Sequence, residues 1–355
     1  MKKKILSAIL AGMFAIGSFS ISDAMSRAEI SAIKVSKSGN FAYWEKNSPA
    51  KEKLVAYVKD VTDKKSKNFI PAEDRIAVFD MDGTFLCETA PYYFDHMLYI
   101  HRAVYDENFT PSKSDRDFAV ALEKSLKNKN SNNKLGSSAP HQSAVFEGMT
   151  YPEFNSYVEN FMKTPVEGLS NLKWGEAFYL PMVEVIKYLE KNDFKVYVVS
   201  GTDRQTVRVL LGDILGIPVN QIIGTDIKIL AKNQGDKDGL DYTFVKDEDY
   251  LIRGEFVIKD LQMNKVSRIA EEIGKQPVLA FGNSSGDSSM INYTITDNKY
   301  KSAGFFVICD DVEREFGKTA RAEKDVKLAE KNGWTPISMK NDWKTIYGDD
   351  VKVTK

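Results

Sequence analysis

Histidine and cysteine are scarce: the 355 residues include three histidines and two cysteines. Two cysteines cannot make a disulfide framework, so stability must come from a hydrophobic core. A single Cys87 to Cys309 bridge is the most that export would permit. His96 and His101 are five positions apart, not at the i, i+4 spacing of a paired metal site. With His141 they read as surface or packing residues, and no zinc centre is expected. An excess of either charge is also missing, with 49 Lys and Arg against 50 Asp and Glu and a formal net charge of -1. That balance gives no signal for a nucleic-acid or membrane-surface partner. Beyond the first two dozen residues, no apolar run approaches the ~20 residues that cross a bilayer.

What is present begins with Met-Lys-Lys-Lys and an apolar run from Ile5 to Ile21, followed by Ser22, Asp23 and Ala24. A basic start, a short apolar segment and small residues make a secretory signal over residues 1–24. The expected product is exported, periplasmic or secreted, with no membrane association after cleavage. The remaining chain of about 330 residues exceeds one ordinary core and calls for a core with a sizeable insertion. Residues 25–70 read as a helical lead-in, because Leu54, Val55, Tyr57, Val58 and Val61 recur at near-helical spacing.

The chemistry-bearing stretch is Ile76-Ala-Val-Phe-Asp80-Met-Asp82-Gly83-Thr84. Four apolar residues running into acids are how a buried parallel strand ends at an active-site edge. Residues i and i+2 of an extended segment project to one side, so Asp80 and Asp82 meet there. Gly83 permits the turn and Thr84 adds a hydroxyl. One carboxylate of such a pair can attack an electrophile while the other handles protons. Their mutual repulsion calls for a cation, and oxygen ligands beside phosphate suit magnesium.

Residues 90–179 then turn helical, with Ala90 to Asp106, Phe118 to Leu126 and Glu153 to Met162 as helices around a polar loop at Lys127 to Ser138. Tyr92, Tyr93 and Phe94 are taken as packing residues, with an aromatic wall for a cationic alcohol as the alternative. Three further strand ends follow. Phe194 to Val199 delivers Ser200 and Gly201, donors suited to phosphate oxygens, with Asp203 and Arg204 opening the next helix. Arg204 either touches phosphate or makes a surface ion pair. Gln221 to Lys259 reads as strands joined by turns, and Asn264 as the cap of a helix carrying Lys265. Pro277 to Gly282 leads to Asn283 and Asp287, and Ala303 to Cys309 is a last strand. The end, with Trp334, Met339, Trp343, Ile346 and Tyr347, is too aromatic for a disordered tail.

In this order the four strand ends resemble the motifs of the haloacid dehalogenase superfamily, and the helical insertion after the first resembles its phosphoserine phosphatase branch. The resemblance implies an α/β, doubly wound parallel sheet with an all-helical cap. It divides the chain into a core at 71–89 and 180–315, a cap at 90–179 and a packed tail at 316–355. It further implies a Mg2+-dependent phosphatase acting on a small phosphomonoester. Asp80 would be the nucleophile, Asp82 the acid and base, and Ser200 and Lys265 would complete the catalytic set. Thr84, Gly201 and Arg204 would bind phosphate, and Asp80, Asp82, Asp287 and Asn283 would hold the metal. The eighteen residues from Lys265 to Asn283 favour Lys265 over Lys259 as the third-motif lysine. Asn283 departs from the usual aspartate and leaves Asp287 to carry the charge. Dehalogenation fits less well because Asp82 marks the phosphoryl-transfer branch. A phosphotransferase to an alcohol and a non-catalytic binding protein are the alternatives.

Overall fold

The computed structural model describes residues 24–88, 93–127, 135–212 and 214–354. Of the expected export segment all but Ala24 lies outside these residues, as do Tyr92 and most of the polar loop after Lys127. Seven strands form one sheet: β1 (Ile76–Phe79), β2 (Lys195–Asp203), β3 (Ile222–Ala231), β4 (Leu251–Ile258), β5 (Leu279–Gly282), β6 (Ala303–Ile308) and β7 (Thr335–Ser338). Their spatial order is β4-β3-β2-β1-β5-β6-β7, and every neighbouring pair is parallel except β3 with β4. β1 and β5 are buried at every position, as helices on both faces of a parallel sheet require. The order reverses at β1, so β2 and β5 run outward on either side of Asp80. A crevice opens at such a switch point, beyond the carboxyl ends of the strands.

The segment between β1 and β2 is helical, with helices at Phe94–Ile100, Lys113–Lys127, Ala139–Ala144 and Tyr151–Phe161. Phe94–Ile100 runs on into a π-helical turn at His101–Tyr105. Thr150 opens the helix Tyr151–Phe161 with a capping box, its hydroxyl and the Glu153 carboxylate satisfying each other's backbone N–H groups. β4 fastens this cap to the sheet. The backbone N–H of Gly148 donates to the Arg253 carbonyl at 2.8 Å, that of Arg253 to the Met149 carbonyl at 2.9 Å, and Ser143 Oγ to the Gly254 carbonyl at 2.9 Å. Covering β4 in this way also hides an edge that would otherwise be open for pairing.

Several boundaries differ from the sequence reading. The sheet does not stop at residue 315: Thr335–Ser338 adds β7, a four-residue strand containing Pro336 that alternation could not reveal. Beyond it Met339, Trp343, Ile346 and Tyr347 are buried. Trp343 meets Trp44 of the lead-in edge-on, with ring centroids 6.2 Å apart. The helix bearing Lys265 is Met263–Glu272 and is preceded by Gln262, while the Asn264 side chain donates to the Lys259 carbonyl instead of capping. Cys87, buried, and Cys309, partly buried, are thiols, so the Cys87 to Cys309 bridge is not formed.

Candidate active site

The turn after β1 fixes the first acids. Gly83 adopts φ +81° and its N–H donates to the Leu86 carbonyl at 2.7 Å. A Cβ there would stand 1.9 Å from Asn283 Nδ2 and 2.6 Å from Glu88 Oε2, so glycine is demanded by both backbone and space. Asp80 and Asp82 line a cavity of about 250 Å³ with Gly201, Thr202, Asn283, Ser284 and Asp287 on the sheet side. Tyr93, Asp95 and His96 of the cap, with Lys259 and Leu261 after β4, form the rest of the wall.

Lys265, wholly buried, ties the sheet-side acids together. Its Nζ donates to Asp80 Oδ1 at 2.6 Å, to Asp287 Oδ1 at 2.7 Å and to the Val199 carbonyl at 2.7 Å, which uses all three ammonium hydrogens. The other Asp80 oxygen accepts from Thr84 Oγ1 at 3.2 Å. Asp287 Oδ2 accepts from the backbone N–H groups of Asn283 and Ser284 at 3.1 and 3.0 Å and from Ser284 Oγ at 3.1 Å. Asp82 is held differently, with Oδ2 accepting from Thr202 Oγ1 at 2.8 Å and Oδ1 buried without a donor.

These surroundings separate the two acids. Burial first, and then the Asp287 charge, push the Asp80 carboxyl up to about 7 against the opposing pull of Lys265. Asp82 is raised well above the usual carboxylate range by burial, then by Asp95 and Asp80. Burial alone would lower the Lys265 ammonium, but Asp287 and Asp80 outweigh it and raise it. Lys265, with Arg321 at the Glu88 end, stands against Asp80, Asp82, Asp287 and Glu88 and leaves an excess of buried acid, which a bound cation would relieve. The donor set fits a hard divalent ion: two carboxylates, Asp80 and Asp287, with the Asp82 carbonyl and Asn283 amide oxygen as neutral ligands. Among the described residues, no three His, Cys, Asp or Glu side chains form a preassembled metal centre, so the neutral oxygens are needed to complete this set.

Some of the expected residues take other roles. Thr84 is sealed from the cavity and acts on Asp80 instead of on a substrate. Ser200 is likewise fully buried, its Oγ accepting from the Thr202 N–H at 3.1 Å, while Gly201 and Thr202 reach the cavity. A register shift between Ser200 and Asp203 at the end of β2 breaks the simple alternation. Arg204 is turned elsewhere: Nε and Nη2 grip Asp226 at 2.7 and 2.9 Å, and Nη1 and Nη2 grip Glu272 at 2.7 and 2.6 Å. It is an ion-pair residue and not a phosphate ligand at this site. His96, expected at the surface or in packing, lines the cavity with an unpartnered Nδ1, and burial lowers its imidazole pKa despite the opposing pull of Asp95.

Glu88 is the residue the sequence reading missed most completely. Buried beside Gly83, it accepts from Asn283 Nδ2 at 2.8 Å and from the Tyr93 hydroxyl at 2.5 Å, with Arg321 Nη2 3.5 Å away. A carboxylate on the amide nitrogen turns the Asn283 oxygen the other way and supplies nearby the charge that asparagine lacks. Glu88→Gln is therefore expected to weaken Mg2+ binding by about 10- to 100-fold in a calorimetric titration. Unchanged affinity would detach Glu88 from the site.

Residues 77–292 match the family model described as haloacid dehalogenase-like hydrolase. No curated protein matches the sequence. Among solved structures, a conserved functionally unknown protein from Anaerococcus prevotii superposes with a TM-score of 0.50 at 13% identity, over 85% of this chain and 94% of its own. Cytosolic 5'-nucleotidase IIIB bound to cytidine gives 0.47 at 10% identity, over 82% and 87%. A phosphoserine phosphohydrolase-like protein from Francisella tularensis gives 0.38 at 13% identity, over 74% and 94%. At such identities the likeness is one of fold.

Proposed function

Because the chain belongs to the haloacid dehalogenase-like hydrolases, we propose that it hydrolyses a small phosphomonoester through an aspartyl phosphate on Asp80. The observation that carries this reading is the contrast between two acids on one cavity wall. Asp80 is charge-compensated by the Lys265 ammonium, whereas Asp82 is neither paired with a cation nor fully hydrogen-bonded. Such a split separates a nucleophile from a proton donor.

In the first half-reaction an Asp80 oxygen attacks phosphorus and the bond to the ester oxygen breaks. Asp82, kept protonated by its burial, gives its proton to the departing alkoxide. In the second, the ionised Asp82 takes a proton from water, which attacks phosphorus and releases Asp80. Thr202 Oγ1 holds the Asp82 carboxyl in place through both halves. Lys265 keeps Asp80 from rotating and offsets its charge, while the Gly201 backbone at the cavity edge is suited to donate to phosphoryl oxygens. Mg2+ held by Asp80, Asp287, the Asp82 carbonyl and Asn283 would supply positive charge against the phosphate oxygens. A cavity of about 250 Å³ favours a compact leaving group. The basic and apolar start of the chain supports action after export.

The test is phosphate release from a panel of phosphomonoesters by the purified protein, with Mg2+ or with EDTA. Release with Mg2+ and loss of at least about a hundredfold in EDTA is expected. A folded protein that releases phosphate from no ester under either condition would remove the hydrolytic reading.

A further inference from the structure

A second cleft, of about 450 Å³, lies among β3, β4 and the helices Arg204–Leu211 and Met263–Glu272. Four arginines, Arg204, Arg208, Arg253 and Arg268, stand in its wall against two carboxylates, Asp203 and Asp226. Both acids are already engaged: Asp203 accepts from Arg253 Nη2 at 2.9 Å, and Asp226 takes the Arg204 fork and lies 3.5 Å from Arg268 Nη2. Outside the lining, Glu272 binds Arg204, and Glu271 accepts from Arg268 Nη1 at 2.8 Å.

Donor capacity remains after this pairing. Arg208 spends Nε on the Val219 carbonyl at 3.2 Å. The Nε–H groups of Arg253 and Arg268 are buried with no acceptor among the described residues. Arg253 is the more constrained, with a side chain only 2% exposed and its guanidinium carbon 3.7 Å from the centroid of the Phe154 ring. Those two Nε–H groups are closed off from the cleft, so the donors that a ligand can meet are the terminal nitrogens of Arg208, which make no ion pair among the described residues, beside Arg268 Nη2, held only loosely by Asp226 at 3.5 Å. Guanidinium forks match the spacing of phosphoryl oxygens better than any other side chain does.

We propose that this arginine-walled cleft is a second binding site, specific for a small phosphate-bearing anion and separate from the cavity of Asp80. The two are near neighbours. A small internal space between cap and sheet borders Asp95, which also walls the Asp80 cavity, and Asp203 and Arg253, which also wall the arginine cleft.

Calorimetric titration of the full chain with inorganic phosphate in EDTA separates the sites, because without a cation the acids around Asp80 repel phosphate. Wild-type protein is expected to bind one phosphate under these conditions. Arg208→Gln combined with Arg268→Gln should weaken that binding by about tenfold or more. Arg208→Lys combined with Arg268→Lys, which keeps both charges and guards against misfolding, should lose the bidentate geometry and bind about severalfold more weakly. No binding by the wild type in EDTA, or equal binding by wild type and both variants, overturns the proposal. Binding that requires Mg2+ and vanishes in Asp80→Asn also overturns it, since that phosphate belongs to the catalytic cavity. None of these readings depends on hydrolysis.

Discussion

Asp80→Asn is expected to abolish phosphate release, lowering kcat by about five orders of magnitude, as removal of a covalent nucleophile does. The substitution is nearly isosteric, and Lys265 keeps Asp287 and the Val199 carbonyl as acceptors. The variant should therefore fold, and its stability carries a second expectation with a definite sign. Burial raises Asp80 to about 7, above its value in the unfolded chain. Below about pH 4 the carboxyl is protonated in both states and contributes nothing to the pH dependence. Between there and pH 7 the unfolded chain releases a proton that the folded chain retains, so wild-type stability falls as pH rises. In EDTA the variant, which lacks this acid, should melt above wild type at pH 8, and the gap should close toward pH 4. Thermal unfolding across that range checks it. A variant that keeps more than about a hundredth of the wild-type rate would remove Asp80 from the nucleophile's role.

Lys265→Ala is expected to cost about 3–5 kcal/mol of stability, because it strands two buried carboxylates, Asp80 and Asp287, that share one ammonium. A divalent cation on the same oxygens would replace the lost charge, so Mg2+ should restore part of that stability in the variant. Urea unfolding with Mg2+ and with EDTA reads both effects. An unaltered midpoint in EDTA would show that Lys265 does not neutralise these acids. Activity should fall with or without rescue, since the ammonium that fixes Asp80 is gone.

The residues most legible in the sequence sit where a local pattern dictates their position. An apolar run ending in Asp80-Met81-Asp82-Gly83 can hardly be anything but a buried strand reaching an edge, and the strand before Asn283 repeats the device. The sheet and the neighbouring placement of Asp80, Lys265 and Asp287 follow from a few such segments. The cap side was harder to read. Tyr93, Asp95 and His96 occupy one short stretch at the start of a helix, and which of them face the cavity depends on how that helix lies over the sheet. Glu88 acquires its place beside the metal ligands through Asn283, far along the chain, and is held there by Arg321, farther still, and by Tyr93. The choice for Arg204 between phosphate and an ion pair stays open in the sequence for the same reason: Asp226 and Glu272, which bind it, lie on other elements. Ser200 shows a subtler limit. It is sealed within the strand end while Gly201 and Thr202, where the register shifts, reach the cavity, and no composition or spacing signals that.

The pairing of Trp44 with Trp343 makes the two ends of the described chain mutually dependent. Ala24 donates its N–H to the Asn171 carbonyl, Leu169 bridges to Val353, and the Glu45 N–H finds the Asp342 carbonyl. Contacts so distant in sequence raise the contact order, which slows folding. During synthesis the lead-in has no Trp343 to pack against until almost all of the chain has been made. The seam that closes the fold therefore brings residues near the start of the described chain against residues near its end.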